Sequence, residues 1–193
     1  AAIDCGTNSL RLLISEDNHG RPREIVRLME IVRLGQGVDA TGEFAPEALE
    51  RTRKVLTKYV DLMQQERVQD VRMVATSATR DARNKDEFFA MTAELLGHIH
   101  PGARAQVITG EEEARLSFIG AVAYLSKEQG PFCVIDLGGG STEFVVGVAG
   151  GQLLGSYSSQ MGCVRISERI MQSDPPTPEE VEAARQHVAE RLA

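Results

Sequence analysis

The sequence lacks any apolar run close to the ~20 residues that a membrane-spanning helix needs. No positively charged segment followed by apolar residues marks a secretion signal at its start. Cysteine is scarce, and Cys5, Cys133 and Cys163 are widely spaced. An odd number without a C-x-x-C pair argues against a disulfide framework or a zinc site. We therefore expect no membrane partner and a reducing, cytoplasmic location.

Positive charge is also in deficit, since 21 Lys and Arg residues oppose 28 Asp and Glu residues and give a net charge of −7. A protein that binds nucleic acid non-specifically normally has the opposite sign, so we expect no nucleic-acid partner. A polyanionic substrate would have to be held by local arginines, backbone amides and metal ions.

What the sequence does contain is a run of three glycines between two β-rich segments, residues 134–137 and 144–147. This pattern predicts a β-hairpin. Residues 138–140 have no Cβ atoms, so backbone N–H groups at the hairpin tip can approach an anion closely. Asp136 and Glu143 place carboxylates at the same tip, as a metal–phosphate site needs. The alternative is a tight glycine-rich hairpin without a ligand.

A similar pattern occurs near the start of the chain, and shifting the sequence by 132 positions superimposes the two. The shift aligns Ile3 with Ile135, Asp4 with Asp136, Gly6 with Gly138, Ser9 with Ser141, Val32 with Val164, Arg33 with Arg165 and Pro46 with Pro178. Each of the two prolines is followed by acidic residues, which is typical of a helix start. Because no gap is needed, we predict two copies of a strand–strand–strand–helix unit.

The first copy continues further than the second. Its predicted elements are a strand at 68–75, an anion-facing loop at 76–84, a helix at 86–97, a strand at 105–108 and a helix at 111–124. The second copy has two predicted strands within 152–166 and ends after its first helix. We therefore expect a complete first lobe at residues 1–127 and the N-terminal part of a homologous lobe at 128–193, with a hinge near 126–131. The two hairpin tips should face each other across a cleft, a preferred place for a ligand.

Five segments resemble the exopolyphosphatase and guanosine pentaphosphate phosphohydrolase family, within the actin, sugar kinase and Hsp70 superfamily. They occur in family order at residues 2–11, 75–82, 109–116, 134–143 and 161–169. The Gly-Glu-Glu-Glu-Ala-Arg box at 110–115 is the most specific, because kinases and actins lack it there. The resemblance implies an α/β, ribonuclease-H-like (actin-like ATPase) fold with duplicated mixed-sheet lobes, the second incomplete.

The resemblance also implies a function: metal-dependent hydrolysis of terminal phosphoanhydride bonds that releases orthophosphate from inorganic polyphosphate, with Mg²⁺ or Mn²⁺. Guanosine pentaphosphate is the alternative substrate, and the family suggests a homodimer. A nucleotide-binding module of the actin or chaperone kind, and a polyphosphate-binding protein without turnover, are alternatives of another class. The triple-glutamate box argues against the nucleotide-binding module, since binding alone needs no acid to activate water.

Site roles follow from the resemblance position by position. Glu113 is expected to orient or deprotonate the attacking water, although acids at a helix start are also common for electrostatic reasons. Asp136 and Glu143 are the expected metal ligands, with Asp4 a weaker third. A turn-stabilising role is the alternative for Asp136. The expected phosphate-binding residues are Gly138, Gly139, Gly140, Ser141 and Thr142 in one turn, Thr7, Asn8 and Ser9 in the other, and Arg80.

Arg80 has its own alternative. Its planar guanidinium suits phosphate oxygens, and the alternative is a surface salt bridge with Asp81 or Asp86.

Overall fold

The computed structural model describes residues 1–19, 21–126 and 128–192. The strands are β1 (Ala2–Cys5), β2 (Ser9–Asn18), β3 (Arg21–Ile31), β4 (Arg72–Ala75), β5 (Ala105–Val107), β6 (Phe132–Leu137), β7 (Thr142–Val148) and β8 (Gln152–Ser159). The helices are α1 (Val38–Thr41), α2 (Pro46–Gln65), α3 (Ser77–Asp81), α4 (Lys85–Leu96), α5 (Gly110–Val122), α6 (Cys163–Arg169) and α7 (Pro178–Leu192).

Contacts divide the chain into two compact units, Ala1–Val107 and Ile108–Ala193. The contact boundary precedes α5, whereas sequence analysis placed the lobe boundary after it, at Lys127, which lies outside the described residues. The division into a complete and a partial homologous lobe stays a prediction.

The first unit is built on a mixed five-stranded sheet in the order β3-β2-β1-β4-β5. β1 pairs antiparallel with β2 and parallel with β4. Alternate residues of the central strands, such as Ile3 and Leu12, are fully buried, as expected for a sheet face covered by helices. From α2, Tyr59 enters this core and its hydroxyl donates to the Leu10 carbonyl at 3.0 Å. Burial raises the pKa of Tyr59 to about 12.

The second unit has an antiparallel sheet in the order β6-β7-β8, with α5 packed on it. Its core is small and consists of Ala114, Phe118, Val122 and Val145. The first three recur every four residues along α5 and therefore form one stripe on that helix. They anchor α5 to the sheet.

The helix α7 closes the described chain and begins at a capping box. Thr177 N–H donates to Glu180 at 2.9 Å, and Glu180 N–H donates to the Thr177 hydroxyl at 3.2 Å. This reciprocal pair satisfies backbone donors at the helix start. Among the described helices, none is long and apolar enough to cross a lipid bilayer.

Both predicted hairpins are confirmed, and they share one register. Asp4 pairs with Arg11 across β1 and β2, and Asp136 pairs with Glu143 across β6 and β7. The predicted starts of α2 and α7 at prolines are also confirmed.

Three local predictions were wrong. The strand expected from residue 68 begins only at Arg72, and the loop expected at 76–84 contains the short helix α3. The second strand expected within 152–166 is replaced by α6. The first amide groups of a helix need acceptors, and those of α6 find them in the glycine turn. Cys163 donates to the Gly138 carbonyl at 3.0 Å, and Val164 donates to the Gly139 carbonyl at 3.0 Å.

Candidate functional site

The turn between β6 and β7 is held from one side by α6. The Gly138 and Gly139 carbonyls accept backbone N–H groups of α6, and the Gly140 carbonyl accepts Nε of Arg165 at 2.9 Å. Gly162 must be a glycine for this contact, because a Cβ there would lie 2.4 Å from the Gly139 oxygen. The three successive carbonyls of the turn are therefore all directed toward α6.

The N–H group that shares a peptide unit with each of these carbonyls must point the other way. In a trans peptide the C=O and the following N–H are antiparallel, so the N–H groups of Gly139, Gly140 and Ser141 point away from α6. Within the part of the chain that the structure describes, the Gly139 and Gly140 N–H groups donate no hydrogen bond. Successive N–H groups directed to one side form a concavity that suits an anion.

The turn between β1 and β2 repeats this construction. Gly6 N–H donates to the Ser9 carbonyl at 3.0 Å, and at the equivalent place Gly138 N–H donates to the Ser141 carbonyl at 2.9 Å. The Thr7 carbonyl accepts Gly35 N–H, and the Asn8 carbonyl accepts two N–H groups from residues 32–33. By the same peptide geometry, the N–H groups of Asn8 and Ser9 point away from that segment.

A difference in charge separates the two hairpins. In the first, Asp4 lies opposite Arg11, and their side chains form an ion pair at 3.6 Å. In the second, Glu143 occupies the position of that arginine and lies opposite Asp136. Like charges directly opposite each other on a sheet are destabilising. A cation between the two carboxylates would remove the repulsion.

The helix α5 covers these carboxylates with its N-terminal half. Thr109 caps the helix by accepting Glu112 N–H at 3.1 Å. One turn after the half-buried Glu113, the hydroxyl of Ser117 donates to Oδ2 of Asp136 at 2.6 Å. Residues four apart share one face of a helix. Glu113 therefore lies on the face of α5 that bonds to Asp136.

Strand β8 supports the second carboxylate. The hydroxyl of Ser158 donates to Oε1 of Glu143 at 2.9 Å, and Glu143 is only 1% exposed. Ser158 also lies against the start of α5, where a Cβ on Gly110 would be 3.6 Å from its hydroxyl oxygen. The adjacent Ser159 is buried, and its hydroxyl has no hydrogen-bond partner among the described residues.

The carboxylates at this hairpin fit a hard divalent cation that also binds phosphate oxygens. Among the described residues, no group of three or more His, Cys, Asp or Glu side chains could hold a metal ion. Two adjacent carboxylates, Asp136 and Glu143, are nevertheless present. Mg²⁺ is commonly held by one or two carboxylates, with water and substrate phosphates completing its shell.

The profile of the Ppx/GppA phosphatase family matches residues 13–193. The chain belongs to this family. Exopolyphosphatase 2 of Mycobacterium tuberculosis is 57% identical over 196 aligned residues, which cover 100% of this chain and 61% of that protein. The chain thus spans about three fifths of the length of this relative.

Solved structures of similar proteins have the same fold. An exopolyphosphatase from Cytophaga hutchinsonii has a TM-score of 0.87 at 29% identity, covering 100% of this chain and 60% of that one. A Ppx/GppA member from Aquifex aeolicus has a TM-score of 0.70 at 36% identity, covering 94% and 57%. The predicted α/β, ribonuclease-H-like fold class and the resemblance are confirmed.

In this Ppx/GppA chain the predicted site residues are divided between the two units. Asp136, Glu143, Glu113 and the turn at 138–142 all belong to the second unit, with α5 packed on the hairpin strands. The first unit contributes the turn with Thr7, Asn8 and Ser9, and Arg80 in the last turn of α3. The approach of these residues to the second turn stays a prediction.

Sequence reasoning missed two serines that donate to the site carboxylates, Ser117 and Ser158. No local pattern distinguishes them. Ser117 is 19 residues from its partner and Ser158 is 15. The one available signal was the pairing of β7 with β8, whose register places Ser158 opposite Glu143.

Proposed function

We propose that the protein hydrolyses terminal phosphoanhydride bonds and releases orthophosphate from inorganic polyphosphate. The observation that carries the proposal is the combination at one hairpin: N–H groups of the glycine turn directed away from α6, and a pair of opposed carboxylates beside them. An anion and a cation are both needed to satisfy this arrangement. A terminal phosphate with its metal ion supplies both.

The proposed chemistry needs positioning and charge neutralisation more than covalent catalysis. Glu113 accepts a proton from water, and the water oxygen attacks the terminal phosphorus. The anhydride bond to the next phosphate breaks, so that orthophosphate and a chain shorter by one phosphate leave. The N–H groups of Gly139 and Gly140, with Ser141 and Thr142, hold oxygens of the phosphate. The first unit binds a phosphate through Thr7, Asn8, Ser9 and Arg80.

Asp136 and Glu143 would hold Mg²⁺ or Mn²⁺, which neutralises charge on the phosphate oxygens. Asp4 is a poorer candidate because Arg11 already pairs with it.

Cellular context is part of the proposal. We propose a cytoplasmic protein, supported by the three free cysteines, two of them exposed. We propose that the protein binds neither nucleic acid nor a membrane. A homodimer is the assembly that the family resemblance suggests.

The test is orthophosphate release by the whole protein from short polyphosphate, guanosine pentaphosphate and ATP with Mg²⁺, alongside Glu113→Gln. We expect turnover of polyphosphate and a loss of at least about 100-fold in kcat for the variant, in the range typical of general base catalysis. Glu111→Gln is the matched control, since Glu111 is exposed in the same helical turn. Release by Glu113→Gln equal to that of the unmodified protein would remove Glu113 from the mechanism. Selective turnover of guanosine pentaphosphate would show that it, and not polyphosphate, is the substrate.

A further inference from the structure

The hydrogen bond between Ser117 and Asp136 is short and joins two elements that carry predicted site residues. Its oxygen–oxygen distance of 2.6 Å lies in the range of strong bonds from a hydroxyl to a carboxylate. We propose that Ser117 is a positioning residue that orients the Asp136 carboxylate for a divalent cation. This inference rests on the proposed function, because it takes Asp136 as a metal ligand.

The bond makes the two carboxylate oxygens of Asp136 different from each other. Oδ2 accepts the Ser117 hydroxyl, whereas Oδ1 accepts no hydrogen bond from the described residues. Ser158 occupies Oε1 of Glu143 in the same way. Among the described residues, each carboxylate therefore has one oxygen fixed by a serine and one that remains for a cation. Hydrogen bonds of this kind hold ligating side chains in one orientation and strengthen metal binding.

Ser117 also links the cation position to the predicted base. It follows Glu113 by one turn on the same face of α5. Glu113 and the carboxylate that Ser117 holds therefore lie on the same side of α5.

A purely structural role for the bond predicts a different outcome. α5 is already anchored by Phe118 and Val122, which are 0% and 4% exposed. Loss of one half-buried hydroxyl should therefore change stability little. A positioning role predicts weaker cation binding without unfolding.

The experiment measures Mn²⁺ binding to the whole protein in the absence of substrate, from the electron paramagnetic resonance signal of free Mn²⁺. We expect Ser117→Ala to weaken binding by about 10-fold or more, within the 10–100-fold typical of such partners. Ser117→Thr keeps a hydroxyl and should restore most of the affinity. Ser167→Ala is the control, since the Ser167 hydroxyl bonds only within α6, to the Cys163 carbonyl at 2.8 Å.

Two further variants separate the possible failures. Asp136→Asn should abolish the effect of Ser117→Ala, so that the double variant binds Mn²⁺ no more weakly than Asp136→Asn alone. If Asp136→Asn binds Mn²⁺ like the unmodified protein, the metal assignment fails and the role of Ser117 falls with it. If Asp136→Asn weakens binding but Ser117→Ala does not, only the inference about Ser117 is overturned. Unequal melting temperatures of Ser117→Ala and the unmodified protein in EDTA, with equal Mn²⁺ affinity, would establish the structural role instead.

Discussion

The paired carboxylates of the second hairpin should make the metal-free protein less stable than a neutral variant. Asp136 and Glu143 lie directly opposite each other, which places their Cβ atoms about 4.5–5.5 Å apart. At about 5 Å, two like charges repel by about 3 kcal/mol at an effective dielectric constant near 20, and by under about 1 kcal/mol in water. Glu143 is 1% exposed and Asp136 is half-buried, so a value between these limits applies.

The variant Glu143→Gln removes one charge and keeps the side-chain length. The Ser158 hydroxyl can still donate to the amide oxygen, but the buried amide N–H groups return part of the gain. We expect the free energy of unfolding in EDTA to rise by about 1 kcal/mol, which corresponds to about 2–4 °C in melting temperature for a chain of this size.

Adding Mn²⁺ should reverse the order of stability. A ligand present at 100 times its dissociation constant stabilises the folded state by about 2.7 kcal/mol. The unmodified protein should gain this stabilisation, and Glu143→Gln should not. Scanning calorimetry with EDTA and with Mn²⁺ measures both effects, and Glu190→Gln, a change at an exposed position of α7, is the control. A Glu143→Gln variant less stable than the unmodified protein in EDTA would refute the argument from repulsion.

Three further predictions concern the elements around the site. Gly162→Ala pushes a Cβ into the glycine turn, so we expect kcat/KM for polyphosphate to fall by up to about 100-fold. The control is Gly155→Ala, whose added Cβ would meet no atom within 4 Å and should leave kcat/KM unchanged. Equal losses of kcat/KM in the two variants would contradict the role of the turn. Phe118→Ala should destabilise the second unit by about 3–5 kcal/mol in urea unfolding, because Phe118 dominates a four-residue core; a loss below about 1 kcal/mol would mean that α5 is held by something else. The Thr177 N–H, with other donors, lowers the pKa of Glu180. Its folded pKa is then below the unfolded value of about 4.3, so the stabilisation is present above that value and is lost as the pH falls through the folded pKa. Glu180→Gln should therefore lose less stability than the unmodified protein on acidification below about pH 5, and parallel melting curves against pH would contradict this.

The hairpins could be predicted from the sequence because their information is local. Alternating apolar residues around a glycine turn fix the pairing of β6 with β7. That register alone places Glu143 opposite Asp136. The helix starts at Pro46 and Pro178 are local signals of the same kind.

The helix α6 could not be predicted, because the turn that stabilises it is distant in the sequence. Residues 163–166 contain β-branched side chains that favour a strand. The N–H groups of residues 163–165 instead bond to carbonyls of the glycine turn more than twenty positions earlier. The ungapped repeat therefore holds for the hairpin, for the third strand and for the start of α7, because β8 pairs with β7 as β3 pairs with β2. Only the additional strand expected around Gly162 is absent, and α6 takes its place.

The serines that support the carboxylates were hidden for a related reason. Ser117 reaches Asp136 only because Phe118 and Val122 pack α5 on the sheet. Ser158 reaches Glu143 through the pairing of β7 with β8. Charge and glycine patterns identify the groups that would touch a ligand, whereas the groups that orient them depend on packing.

The central claim is that the glycine turn binds phosphate through its N–H groups together with a divalent cation. The most direct measurement is a titration of the ¹⁵N-labelled chain with tripolyphosphate and Mg²⁺. It is monitored by NMR through the amide resonances of Gly139, Gly140 and Ser141. We predict that these three resonances shift together, only when both ions are present, and that Gly102, in an open turn of the first unit, does not respond. Unchanged resonances of the glycine turn at saturating tripolyphosphate and Mg²⁺ would contradict the claim.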